Sequence, residues 1–167
     1  MAVNKKNDID RCKKRYEINI PDSVTYMDGV FWGCESLKTV YIGKGVATIS
    51  DDVFYDCQKL EGINVSAENK YFASENGVLY SKDKTVIYKY PAQKQGTQFI
   101  IPSSVKELGT RCFGGCIQLE YVKIPDSIIK IPERAFDGCT GLVTCVIPDS
   151  VKIIGEYAFE DCENLAN

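Results

Sequence analysis

Ile147-Pro148-Asp149-Ser150-Val151-Lys152-Ile153-Ile154-Gly155-Glu156-Tyr157-Ala158-Phe159-Glu160-Asp161-Cys162-Glu163-Asn164-Leu165 decides the fold, because its pattern recurs along the chain. Earlier copies are Ile20-Pro21-Asp22-Ser23-Val24 with Phe31, Cys34 and Leu37, and Ile101-Pro102-Ser103-Ser104-Val105 with Phe113, Cys116 and Leu119. Another is Ile124-Pro125-Asp126-Ser127-Ile128 with Phe136, Cys139 and Leu142. A diverged copy leads from Ile42-Gly43-Lys44-Gly45-Val46 to Phe54, Cys57 and Leu60. The period is about 23 residues, short enough for stacked supersecondary units and too short for domains. Such a unit cannot bury its apolar face alone, so the expected fold is a repeat solenoid.

Residues 119–142 show what one unit does. Val122 and Ile124 alternate with Tyr121 and Lys123, as in a strand with one buried face. Pro125 ends that strand because it has no N–H for the ladder. Asp126 and Ser127 supply turn chemistry, and Ile128 and Ile131 begin a second apolar stretch. Pro132-Glu133-Arg134-Ala135-Phe136 reads as one turn of α- or 3₁₀-helix. Phe136 then plugs the core, Gly138 relaxes the backbone, and Cys139 and Leu142 close the coil.

The eight cysteines follow the same register. Cys34, Cys57, Cys116, Cys139 and Cys162 each stand three residues after the aromatic, and Cys12 falls in their column. Cys145 aligns with Val40, Ile63 and Val122, and Cys112 with Val30, Val53, Ala135 and Ala158. All occupy places for small apolar side chains, which is how free Cys behaves in cores. Parallel Cβ vectors on neighbouring rungs strain a bridge, so eight reduced, buried thiols are expected. Cys112 and Cys116 lack a second pair to complete a metal site.

With 167 residues the chain makes one domain, and its net charge of −3 points to neither nucleic acid nor an anionic membrane. Lys5, Lys6, Arg11, Lys13, Lys14 and Arg15 read as a solvated basic end. There is no histidine, which removes the commonest general base and metal ligand. No apolar run is long enough for a membrane-spanning helix. The polar start is not a signal peptide. The chain is therefore expected either to follow a removed leader or to act in the cytoplasm.

Residues 66–100 lack the Phe-x-x-Cys-x-x-Leu core and read as an insertion. Within it, Val78–Ser81 and Thr85–Tyr90 suggest a β-hairpin around Lys82-Asp83-Lys84. Tyr80, Tyr88 and Tyr90 make it one candidate partner-binding patch; packing against the solenoid is the competing reading. The outward strand positions make another: Tyr41, Asn64, Tyr121, Lys123 and Thr144, on a parallel sheet along one face. The expected layout is a degenerate half-repeat over 1–20, two repeats over 20–65, the insertion, and three repeats over 101–167, the last incomplete. The final rung has no obvious polar cap, which fits either a longer chain or an end-to-end dimer; otherwise a monomer is expected.

The Pro-x-Ser-Val turn, Ile-Gly step, Ala-Phe pair, Cys and Leu of residues 148–165 resemble the BspA-type leucine-rich repeat. The resemblance is strong over 20–65 and 101–167. It implies a β-rich leucine-rich repeat solenoid of bacterial or protist cell surfaces, and adhesins that contact host matrix or other cell-surface proteins. The family carries no catalytic motif. The expected function is thus non-catalytic protein or glycan recognition, with no cofactor and no nucleic acid or membrane insertion. A structural spacer and an intracellular scaffold are the alternatives. An enzyme would have only scattered carboxylates to work with, such as Asp51, Asp52, Asp56 and Asp137.

Overall fold

The computed structural model describes residues 14–166, and these wind through successive β-rungs. Rung 1 carries β1 (Glu17–Ile20) and β2 (Tyr26–Met27), and rung 2 carries β3 (Thr39–Ile42) and β4 (Thr48–Ile49). β5 (Gly62–Val65) opens rung 3, which departs through β6 (Phe72–Glu75) and β7 (Val78–Ser81) and returns with β8 (Val86–Lys89). β9 (Gln98–Ile100) and β10 (Glu107–Leu108) form rung 4, and β11 (Tyr121–Lys123) and β12 (Lys130–Ile131) rung 5. β13 (Thr144–Val146) and β14 (Ile153–Ile154) form rung 6. The degenerate half-repeat, including Cys12, falls largely outside the described residues.

A constant period stacks like on like. Val40 pairs with Ile18 and Ile63, and Val122 with Phe99 and Cys145, so the inward side chains form columns. The long strands make two parallel three-stranded sheets, β1-β3-β5 and β13-β11-β9, where the sequence suggests one. The interruption is the excursion of rung 3: β5 and β9 begin 36 residues apart, against 23 for β9 and β11. The short strands pair in parallel as β2 with β4, β8 with β10, and β12 with β14.

The third wall corrects the expected helical turns. Residues 132–139 form tight turns with no α- or 3₁₀-helix. Arg134 and Gly138, two before and two after Phe136, take φ of 53° and 72°, and left-handed residues at that spacing interrupt any helical run. The N–H groups alternate in use. Those of Ala135, Asp137 and Cys139 bond three residues back; those of Arg134, Phe136 and Gly138 reach Glu156, Ala158 and Glu160 of the next rung at 2.8–3.0 Å. A helix would consume the very donors that hold the stack together.

Inside, Phe113, Phe136 and Phe159 stack at 4.8 and 5.2 Å, tilted by only 7° and 2°. The cysteine column does more than fill space. The thiols of Cys57, Cys139 and Cys162 donate to the carbonyls of Phe31, Phe113 and Phe136, one rung back, at 3.0–3.1 Å. Burial pushes the thiols of Cys57, Cys112 and Cys145 up to about 12. Among the described residues six cysteines are free, but Cys34 is disulfide-bonded. The expectation of eight thiols is corrected accordingly.

Rung 3 belongs to the stack more fully than its sequence suggests. Tyr90 takes the place of the phenylalanine: its N–H bonds the Cys112 carbonyl at 2.8 Å and its carbonyl faces the Cys116 thiol at 3.7 Å. Its ring meets Phe113 at 5.4 Å, tilted by 34°. The hairpin is not laid on one face either. All three of Val78, Leu79 and Tyr80 are buried, and alternation along β7 sends Val78 and Tyr80 to the C-terminal core and Leu79 to the N-terminal one. β7 is thus a septum between two apolar cores. Asn69 anchors its approach. Buried, it donates to the carbonyls of Gly43 and Val46 at 2.9 Å and accepts from the N–H groups of Tyr71 and Phe72 at 2.8 Å.

Candidate functional sites

The register of the long strands sets out the first candidate surface. Asn19, Tyr41 and Asn64 lie side by side on one sheet. Gln98, Tyr121 and Thr144 do so on the other, next to Ile100, Lys123 and Val146. Tyr41, Asn64 and Lys123 are exposed, while Tyr121 and Thr144 are half-buried. These sequence-predicted positions therefore gather into two clusters on two sheets. The hairpin patch does not gather. Tyr80 and Tyr90 are only 3% and 2% exposed, because β7 and the aromatic column take both rings inward. They are withdrawn as surface residues, and burial pushes both phenols up to about 12. Tyr88 is half-buried, with its ring 5.3 Å from Phe72.

Tyr88 leads to a second site that sequence reading missed. Rung 3 has no Phe-x-x-Cys-x-x-Leu turn after Tyr90, and a cleft of about 240 Å³ opens where that turn would stack. Phe54, Tyr55, Asp56 and Gln58 of rung 2 form one wall. Gly109–Arg111 and Gly114–Gly115 of rung 4 form the opposite one, and Lys89 projects from β8 between them. Glycine at 114 and 115 keeps side chains out of the space.

Each wall has lost partners in a different way. On the rung 4 side the ammonium of Lys89, buried at 8% exposure, donates to the carbonyls of Arg111 and Gly114 at 3.1 and 3.2 Å. In a complete stack main-chain N–H groups bond this side of the turn, as Gly115 does to Asp137. On the rung 2 side nothing substitutes. The N–H groups equivalent to those of Phe54 and Asp56 reach the next rung elsewhere: Phe31 to Val53 and Gly33 to Tyr55, Phe113 to Ala135 and Gly115 to Asp137. Those of Phe54 and Asp56 bond no acceptor among the described residues.

The arginines at equivalent positions make the contrast sharper. Arg134 pairs with Asp137 at 3.1 Å and Glu160 at 2.7 Å, and its guanidinium lies 4.5 Å from the Tyr157 ring. Arg111 has Gly114 where Arg134 has Asp137. It lies 4.4 Å from the Tyr55 ring, makes no ion pair among the described residues, and leaves a buried Nε without an acceptor. The sequence signal for this site was the missing turn motif of rung 3, which carries an inserted hairpin and also lacks its turn.

The fold is a leucine-rich repeat solenoid, and the comparisons place it in a family. The description "BspA type Leucine rich repeat region" matches in six copies over residues 5–79 and 87–167, and the chain belongs to that family. Among solved structures, a leucine-rich repeat protein from Eubacterium ventriosum matches with TM-score 0.85 and 35% identity, over 89% of this chain and 40% of that one. The pneumococcal vaccine antigen PcpA matches with TM-score 0.70 and 26% identity, over 89% of this chain and 49% of that one. A leucine rich cell surface protein from Faecalibacterium prausnitzii matches at 0.65 and 24%, over 92% and 53%, a likeness of fold alone. The chain spans about half or less of the length of these neighbours. No curated protein matches.

Proposed function

We propose that this chain is a non-catalytic recognition module of adhesion type, which binds a protein or glycan at a cell surface or in the host matrix. The observation that carries this reading is the in-register outer face of the two parallel sheets. Backbone pairing, on both sides for Tyr41, Tyr121 and Lys123 and on one side for Asn64 and Thr144, fixes where these residues point. A preordered surface loses little entropy on binding, and tyrosines with an exposed polar tip are favoured in interfaces. The vaccine antigen and the cell surface protein among the neighbours support a surface role. So does the disulfide at Cys34, because such bonds persist in oxidising compartments.

The test is binding of the domain to an array of matrix and cell-surface proteins, alongside Tyr41→Ala and Lys123→Ala. Recognition through this face predicts weaker binding by each variant with an unchanged urea midpoint. A spacer would be indifferent to both changes, and an intracellular scaffold would not be released by protease from unbroken cells.

A further inference from the structure

We propose that the cleft of rung 3 binds the carboxylate of an acidic sugar through the Arg111 guanidinium and the main-chain N–H groups of Phe54 and Asp56. This rests on the recognition reading above and adds a second, separate site to it. The donors come first. Two N–H groups that every complete turn hands to the next rung have no acceptor here, and Arg111 Nε is buried without one. Arg111 Nε is buried and unpaired, which is costly, so an occupant that supplies acceptors is favoured. A carboxylate supplies several lone pairs in one plane, the shape a guanidinium accepts as a fork.

The other lining groups decide which carboxylate. Asp51, Asp56 and Asp137 also face the cleft and oppose a phosphate or a run of acidic side chains. The same carboxylates, with Gln58 and Thr110, are acceptors for hydroxyl groups. A ligand with one carboxylate and several hydroxyls satisfies both sets. Tyr55 forms part of the wall, and the exposed Trp32 meets it edge-on at 5.2 Å, which extends an aromatic lip for C–H faces. The volume of about 240 Å³ suits one sugar unit.

The experiment is a titration of the whole domain with glucuronate, followed by amide NMR, against glucose and succinate as probes with only hydroxyls or only carboxylates. The expected result is saturable shifts at the Phe54 and Asp56 amides, with glucose and succinate each at least about tenfold weaker. Arg111→Gly should weaken glucuronate by about tenfold or more. It should still fold, because Arg111 has φ of 54° and Gly29 holds the equivalent place in rung 1. Lys130→Ala, exposed and away from the cleft, should bind like the parent. Equal binding of glucose or succinate, binding indifferent to Arg111→Gly, or no shifts at these amides would overturn the proposal. If those failures came while the array still showed partner binding sensitive to Tyr41 and Lys123, the recognition reading would stand without this site.

Discussion

Rungs 4 to 6 and rungs 1 to 2 are built from the same words, yet they behave as two bodies of core with rung 3 between them. In the C-terminal block three rings stack nearly parallel, and the alternate turn N–H groups of rungs 4 and 5 each find the next rung. In the N-terminal block Phe31 and Phe54 stack at 5.6 Å with a 21° tilt, and the column then stops at the cleft. The difference shows that a solenoid of this kind is held on three sides. At rung 3 the long-strand sheet is interrupted between β5 and β9, and the aromatic column and the turn ladder are interrupted on the rung 2 side. The β8–β10 pairing and the Tyr90–Phe113 contact tie rung 3 to rung 4.

The largest effect expected is alkaline. The thiols of Cys57, Cys112 and Cys145 and the phenols of Tyr80 and Tyr90 are each pushed up to about 12 by burial. Their neutral forms therefore contribute full stability below the unfolded values, 9.0 for cysteine and 10.0 for tyrosine. That contribution is lost as pH rises from there towards about 12. Of these five groups only Cys57 sits in the N-terminal core. Urea midpoints between pH 8 and pH 11 should fall, and the C-terminal block should lose more.

At neutral pH the contrast lies in packing. Phe136→Ala, with rings on both sides, should cost about 3–5 kcal/mol in urea unfolding. Phe54→Ala, with the cleft beside it, should fall at or below the low end of that range, because its surroundings are already open. Equal costs would break the comparison. Asn69→Ala should cost about 2–4 kcal/mol, since two N–H groups and two carbonyls lose their partner together.

How far the sequence carried these conclusions depends on what each residue was asked to signal. Val122 between Tyr121 and Lys123, and Pro125 after them, were enough for strand, face and stop. The aromatic and cysteine columns were legible because a constant period puts identical side chains in contact. Tyr90 was missed because Pro91, Ala92 and Gln93 follow it where the motif wants a cysteine, so a rung looked like an inserted hairpin. The helical turn was a wrong inference from Pro132-Glu133-Arg134-Ala135-Phe136: nothing local reveals that Arg134 adopts positive φ so that alternate donors can leave the turn. The cleft was invisible for a related reason. It is made by groups that lack partners, and a pattern search finds what is present.

Smaller effects sharpen the contrast between the two arginines. Arg134→Gly should destabilise, because Asp137 and Glu160 lose their cation. Arg111→Gly should stay within about 0.5 kcal/mol of the parent, as relief at φ of 54° offsets the lost contact with Tyr55. Thermal melts of both variants would check the difference in sign. A thiol count closes the set: six cysteines should react in denaturant without reductant, and eight reacting would remove the disulfide at Cys34.

Native-state hydrogen exchange against urea tests the division of the solenoid most directly, since stacked repeats open as neighbouring units. The amides of β3 and those of β11 should open in separate steps, with different free energies and the break falling within residues 66–92. A single isotherm that takes in every protected amide with one slope would contradict it, and rung 3 would then be an ordinary rung with a gap of no energetic consequence.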